Sequence, residues 1–401
     1  MTMLPECRPN TDQQRIIELD GLRGLAVIFV LIHHYYTGVL PAALPPVLGF
    51  FRDLTAPFCL SGVDLFFVIS GFIVGGIVID GVGEHGFFKR FYIRRATRIL
   101  PLYFSMYGLF LVATRVNQIH PNPMGLWLVK NNMPLWSYAI FMQNYYMALA
   151  GQAGGKFFAM AWSVATEEHF YLLFPVLLLW LGLRRVAMVC LALLLVCPII
   201  RCLALEHLTF FAAYAPFPSR ADSISYGVLV AVAVRRWPGA MRTKSAQIML
   251  SAFCVLVGIL LALNSLRIIV LGDAAVFSFL AAFYALVISI GVVNRGAIAP
   301  LLRSKILIFF GFISYALYMF HQTVNGLMHG FIFQHEPQMQ SVAHFTVTSL
   351  SVAIAVGLAY LSSKYFEAPI RAAGYRMTRT KTSSEGTLPL PASSHQETML
   401  S

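Results

Sequence analysis

The sequence predicts an all-α, polytopic transmembrane fold of about ten spans plus one re-entrant segment, with both ends of the chain on the cytoplasmic side. Three observations carry this. Apolar residues make up 58% of the 401 residues and charged residues only 11%, against roughly 25% charge in an ordinary soluble domain. Mean hydropathy is +0.72, and the apolar residues fall in runs of about 20, the length a helix needs to cross roughly 30 Å of hydrocarbon. Lys and Arg gather in short clusters between those runs, as the positive-inside rule requires.

In chain order, the runs place spans near 21–40, 63–79, 99–116, 158–183, 186–203, 222–234, 246–264, 274–293, 306–327 and 342–362. The shorter stretch 135–149 ends in Gln143, Asn144, Tyr145 and Tyr146 before a Gly-rich turn, and reads as re-entrant or partly inserted. With the N-terminus inside, 22 of the 29 Lys and Arg fall on the cytoplasmic side. Arg52, Arg115, Lys130, Lys156, Arg201, Arg220 and Arg267 remain outside. A full crossing at 135–149 would move every later loop to the other side and destroy this bias.

The chain divides into a cytoplasmic segment 1–18, a transmembrane domain 19–376 and a disordered cytoplasmic tail 377–401 rich in Ser, Thr, Pro and Glu. The polar N-terminus shows no signal-peptide pattern, so the first span is retained. The net charge of +12 is spread among loops rather than along one face, which argues against nucleic-acid binding. Six Cys without a C-x-x-C pair argue against a disulfide framework or zinc site. No internal repeat is visible, which counts against many transporter folds.

Ionisable residues inside hydrocarbon are expensive and tend to face a cavity or a partner. Arg23 and His34 are 11 residues apart in the first span. On a regular helix that leaves them about 20° apart around the axis and about 16 Å apart along it. Arg23 then sits at the cytoplasmic mouth and His34 near mid-membrane, where a histidine suits proton transfer. A snorkelling Arg and a packed His fit the same spacing. Asp64 opens the second span as a cap or a cavity residue. Ser70 lies outside a G-x-S-x-G elbow, and Ser70-Gly71 permits close helix packing.

Lys89, Arg90, Arg94, Arg95 and Arg98 exceed what orientation needs. Arg95 and Arg98 share a helix face at i, i+3, which suits bidentate grip on phosphate. The fourth span opens Trp162-Ser163 and continues Glu167-Glu168-His169-Phe170-Tyr171. Paired carboxylates there can bind a cation, orient a histidine, hydrogen-bond a hydroxyl or form a structural ion pair. The spacing is not that of H-E-x-x-H, and no metal site is expected. In the ninth span Ser314, Tyr315, Tyr318 and His321 recur at helical spacing as a polar stripe.

In this order, several segments resemble the integral-membrane O-acyltransferases of acyltransferase family 3. They are Asp20-Gly21-Leu22-Arg23-Gly24 with His34 (R-x10-H), Gly62-Val63-Asp64 through Ser70-Gly71-Phe72, and Arg95-x-x-Arg98. Trp162-Ser163 with Glu167-Glu168 and Phe170-Tyr171 follows, then Arg220-Ala221-Asp222. Ser314-Tyr315 with Tyr318 and His321, and Tyr365-Phe366-Glu367-Ala368-Pro369, complete the set, which spans residues 18–371. His169 stands where the family usually has Gln.

The resemblance implies transfer of an acyl group, commonly acetyl from acetyl-CoA, to a carbohydrate or glycoside hydroxyl. It implies that His34 is catalytic and that Arg95 and Arg98 serve the acyl-CoA. Arg23, Glu167 and Glu168 join His34 as expected catalytic residues. Arg94 and Arg23 join the acyl-CoA set. Asp64, Ser70, Trp162, Ser163, Tyr171, Ser314, Tyr315, Tyr318 and His321 are expected at the acceptor or cavity wall. Expected partners are acyl-CoA, a carbohydrate or glycosylated acceptor such as exopolysaccharide, lipopolysaccharide sugar or macrolide, and the bilayer. The expected location is a bacterial inner membrane. A multi-span transporter and a non-enzymatic scaffold are the competing classes.

Overall fold

The computed structural model describes residues 16–40, 45–293 and 298–378. Beyond Thr378 the predicted tail lies outside the described residues, as does most of the predicted segment 1–18. Every element among the described residues is helical. The principal helices are α1 (Ile17–Ile32), α2 (Pro46–Leu60), α3 (Gly62–Gly81), α4 (Phe87–Ile119) and α5 (Ala161–His207). They continue with α6 (Phe217–Arg236), α7 (Lys244–Ser265), α8 (Asp273–Ile288), α9 (Lys305–Phe333) and α10 (Val342–Leu361). π-helical turns extend α1 through His33–Thr37 and α8 through Ser289–Val293.

The 47 residues of α5 would reach about 70 Å if straight, more than twice the hydrocarbon thickness. Gly182 breaks it with φ 73° and ψ 163°, immediately before Arg184 and Arg185, where the sequence divides its fourth and fifth spans. Each of the ten predicted spans coincides with one helix or one half of α5. Seven segments among the described residues are long and apolar enough to cross a membrane. α1 is not among them; it carries Glu18, Asp20 and Arg23 and runs on into His33 and His34. Neither is α6, which carries Arg220, Asp222, Arg235 and Arg236.

The stretch 135–149 forms two short helices, Trp136–Ala139 and Gln143–Ala150. Eight residues rise only about 12 Å, too little to cross. Its polar end is satisfied inside the fold: Gln143 Nε2 donates to the Ala161 carbonyl at 2.8 Å, and Asn144 Nδ2 to Thr166 Oγ1 at 3.3 Å. Helix α2 was not predicted as an element. It exposes Val47, Leu48, Phe50 and Phe51.

Small residues let the helices meet at backbone contact. Gly71 of α3 faces the Ile224 carbonyl of α6, and Gly227 of α6 faces the Val68 carbonyl of α3. A methyl group at either would overlap a backbone oxygen, so both positions need glycine. α1 meets α9 in the same way through Gly24 and Gly311.

Two cations read from the sequence as outer loop charges lie fully buried instead. Arg201 Nη1 and Nη2 reach Asp222 at 3.0 and 2.8 Å, and the same guanidinium donates to Ser278 Oγ at 2.6 Å and to the Ala274 carbonyl at 2.7 Å. Arg220 pairs with Asp64 across α6 and α3, and its guanidinium lies 4.4 Å from the centre of the Phe277 ring. These interior pairs neutralise each other. They take Arg201 and Arg220 out of the loop-charge comparison, leaving Arg52, Arg115, Lys130, Lys156 and Arg267 in the minority group.

Candidate active site

A cavity opens between α1, α3, α4, α5 and α9. Helix α3 supplies an apolar wall of Phe66, Phe67, Ile69, Ile73 and Val74. Against it stand three guanidinium groups, Arg23 from α1 and Arg95 and Arg98 from α4. Arg23 has Asp20 one turn away, 3.3 Å distant. Arg95 lies over the Tyr171 and Phe91 rings at 5.6 and 5.8 Å from their centres. Among the described residues, neither Arg95 nor Arg98 forms an ion pair. Among the described residues the one carboxylate on the wall is Glu167. It accepts from the Tyr171 hydroxyl at 2.8 Å, and that phenol oxygen lies 2.6 Å from Ser70 Oγ. Because Tyr171 donates to the carboxylate, Ser70 must donate to Tyr171.

Away from the arginines, the cavity ends at Tyr318 and Ser163, whose hydroxyl oxygens are 2.7 Å apart. Tyr318 also donates to the Met160 carbonyl at 3.1 Å. Next to Tyr318 lies the His321 ring, 5.7 Å from it, and next to that the His34 ring, 4.9 Å from His321. The two histidines touch through His321 Nε2 and His34 Nδ1 at 3.3 Å. Neither lines the cavity. Arg23 and His34 therefore do not form one continuous wall, as a regular helix would place them. A π turn opens at His33, with Gly38 N–H bonded to the His33 carbonyl at 2.8 Å, and His34 meets His321 of α9.

The remaining candidates divide. Ser70, Ser163, Tyr171, Ser314, Tyr315 and Tyr318 are on the cavity wall with Glu167. Asp64 is not: it is occupied by Arg220. Trp162 packs between Phe67 and Tyr214 at 6.0 and 4.6 Å, behind the wall rather than on it. Arg94 bonds Thr378 at 2.9 Å and covers the Tyr375 ring, which ties α4 to the C-terminal helix Ala368–Met377. Glu168 is also off the wall, with Oε1 buried and without a hydrogen-bond partner. No group of His, Cys, Asp and Glu among the described residues is arranged to hold a metal ion. What sequence reasoning missed is the apolar wall of α3: that helix is hydrophobic all round, so no periodicity separates the face on the cavity from the face in the core.

A family model described as an acyltransferase domain matches residues 16–363. Among curated relatives, a Staphylococcus aureus (strain MRSA252) protein named "Putative O-acetyltransferase SAR0937" is 24% identical over 91% of this chain and 59% of its own length. "O-acetyltransferase OatA" of S. aureus strain NCTC 8325 is 25% identical over 89% of this chain and 57% of its own. The chain thus spans about three fifths of the length of these relatives. No solved structure matches it.

Proposed function

The chain belongs to acyltransferase family 3, and from that premise we propose that it transfers an acetyl group from acetyl-CoA to a carbohydrate hydroxyl, with His34 as general base. The observation that carries this reading is the convergence of Arg23, Arg95 and Arg98 on one cavity that holds a single carboxylate. Such a wall suits the phosphates of a coenzyme A thioester, and the apolar face of α3 suits its slender pantetheine arm.

The ten predicted spans all cross, and the end with Arg23, Arg95 and Arg98 is cytoplasmic, where acyl-CoA is available. The thioester then advances from the arginines towards Tyr318. Rotation of the Tyr318 phenol away from Ser163 joins the cavity to the histidines. His34 Nε2 takes the proton of the acceptor hydroxyl as its oxygen bonds to the thioester carbonyl carbon. The C–S bond breaks with its electron pair on sulfur, and the imidazolium returns the proton to give free CoA thiol and the ester. A site closed to bulk water suppresses hydrolysis of the thioester. The acceptor is a sugar-containing molecule at the far side of Tyr318, and the membrane is the bacterial inner membrane.

The test is purified protein in nanodiscs with isotope-labelled acetyl-CoA and a panel of glycans and glycosides, the label located by mass spectrometry. Transfer to a hydroxyl is expected in the wild type and its loss in His34→Ala. Full transfer by a folded His34→Ala protein would overturn the mechanism.

A further inference from the structure

His321 has no role in that mechanism, although it is fully buried and touches the proposed base. The hydrogen bonds of the two rings fix their protons. His321 Nδ1 lies 2.7 Å from the Tyr318 carbonyl oxygen. A carbonyl only accepts, so in the neutral ring Nδ1 carries the hydrogen and Nε2 is the lone pair. That lone pair faces His34 Nδ1 at 3.3 Å. His34 Nδ1 also lies 3.0 Å from the Val30 carbonyl oxygen, again an acceptor only. Both neighbours of His34 Nδ1 therefore accept, and it must be the protonated nitrogen. The reverse tautomer would set lone pair against lone pair at both contacts.

We propose that His321 is a positioning residue that holds His34 in its Nδ1–H tautomer and so leaves Nε2 as the basic nitrogen aimed at the acceptor hydroxyl. Which ring nitrogen of a neutral histidine carries the hydrogen is set by the hydrogen bonds the ring makes, so the Nδ1–H form needs an imposed partner. The Val30 carbonyl alone supplies a weak one, because it already belongs to the helix. When Nε2 takes up the acceptor's proton, His34 becomes a cation, and its Nδ1–H bond to the His321 lone pair becomes charge-assisted and stronger. His321 thereby steadies the charged state without itself carrying charge or touching substrate. Its own position is set by the backbone: the Tyr35 hydroxyl donates to the His321 carbonyl at 2.7 Å and ties the π turn of α1 to α9. The inference rests on the reading of His34 as the base.

Two measurements test it. The first is ¹⁵N NMR of the full chain labelled at histidine, with His34 and His321 signals assigned by their disappearance in His34→Ala and His321→Gln. Both rings are expected as neutral Nδ1–H tautomers. An Nε2–H signal from His34 in the unaltered protein would overturn the proposal. The second uses acetyl-CoA and the acceptor acetylated by the wild type. His321→Leu removes the accepting lone pair, whereas the side-chain carbonyl of His321→Gln can replace it. His321→Leu is expected to lower kcat by about 10–100-fold, the contribution of one hydrogen bond to a charged group, with KM for acetyl-CoA unchanged. His321→Gln is expected to recover most of kcat. Full kcat in His321→Leu alongside an inactive His34→Ala would sink the positioning role alone. An active His34→Ala would sink the mechanism it rests on, while the NMR result would still decide the tautomer.

Discussion

Arg98→Gln isolates the electrostatic part of donor binding. Arg98 reaches the cavity from α4, and among the described residues it forms no ion pair. Its removal therefore leaves no carboxylate stranded, and any effect is on the ligand. A hydrogen bond to a charged partner contributes about 1.5–3 kcal/mol. At 1.4 kcal/mol per factor of ten, the KM for acetyl-CoA should rise about 10–100-fold. Loss of uniform binding leaves kcat nearly unchanged. The decisive comparison is with acetyl-pantetheine, which has the same thioester but none of the nucleotide phosphates. Arg98→Gln should change its KM by less than about twofold. Initial rates over a range of each donor, with acceptor saturating, give the four constants. If both donors lose equally, Arg98 shapes the cavity rather than holding phosphate. If acetyl-CoA is unaffected, the phosphates bind elsewhere.

Two further predictions concern the scaffold. Asp64→Asn leaves Arg220 as an unpaired buried cation and should destabilise the protein by about 3–5 kcal/mol, read as thermal unfolding in detergent; Asp64→Asn with Arg220→Met should recover much of the loss. Gly71→Val drives a side chain into the Ile224 carbonyl and should separate α3 from α6 at a cost of at least about 1–3 kcal/mol. Gly83→Ala, with open space around it, should unfold like the wild type.

The helices were legible because the bilayer imposes a length and the loops carry the charge. The Arg184-Arg185 pair separates the fourth and fifth spans in the sequence, and the break at Gly182 falls two residues before it. The cavity was legible in part, since Arg23, Arg95, Arg98, Glu167, Tyr171 and the Ser314–Tyr318 stripe were each an anomaly in an apolar run. What helical periodicity could not supply is which anomaly answers which. Asp64 and Glu167 look alike in sequence, as carboxylates inside apolar spans. One is neutralised by Arg220, 156 residues away, and the other bonds Tyr171 on its own helix and faces the cavity. The difference lies in tertiary pairing, which single-helix spacing does not encode.

The same distinction bears on His34. On a regular helix its spacing from Arg23 puts both on one face, and a single continuous conduit follows. In the structure His34 instead meets His321 of α9, off the cavity wall, and that has a chemical consequence. A histidine on the cavity wall would be exposed to every thioester that enters, with water available as the competing nucleophile. In the proposed mechanism His34, seated beyond Tyr318, meets the thioester only when the phenol moves, and its Nδ1 already contacts Val30 and His321. In the proposed mechanism the donor cavity and the base are thus separated by the Tyr318 side chain. That arrangement predicts that Tyr318, rather than the arginines, governs how much acetyl-CoA is hydrolysed when no acceptor is present. Tyr318→Ala should raise acceptor-free release of CoA while leaving the KM for acetyl-CoA near the wild-type value. A release rate indistinguishable from wild type would mean that the two compartments are already joined in the resting protein.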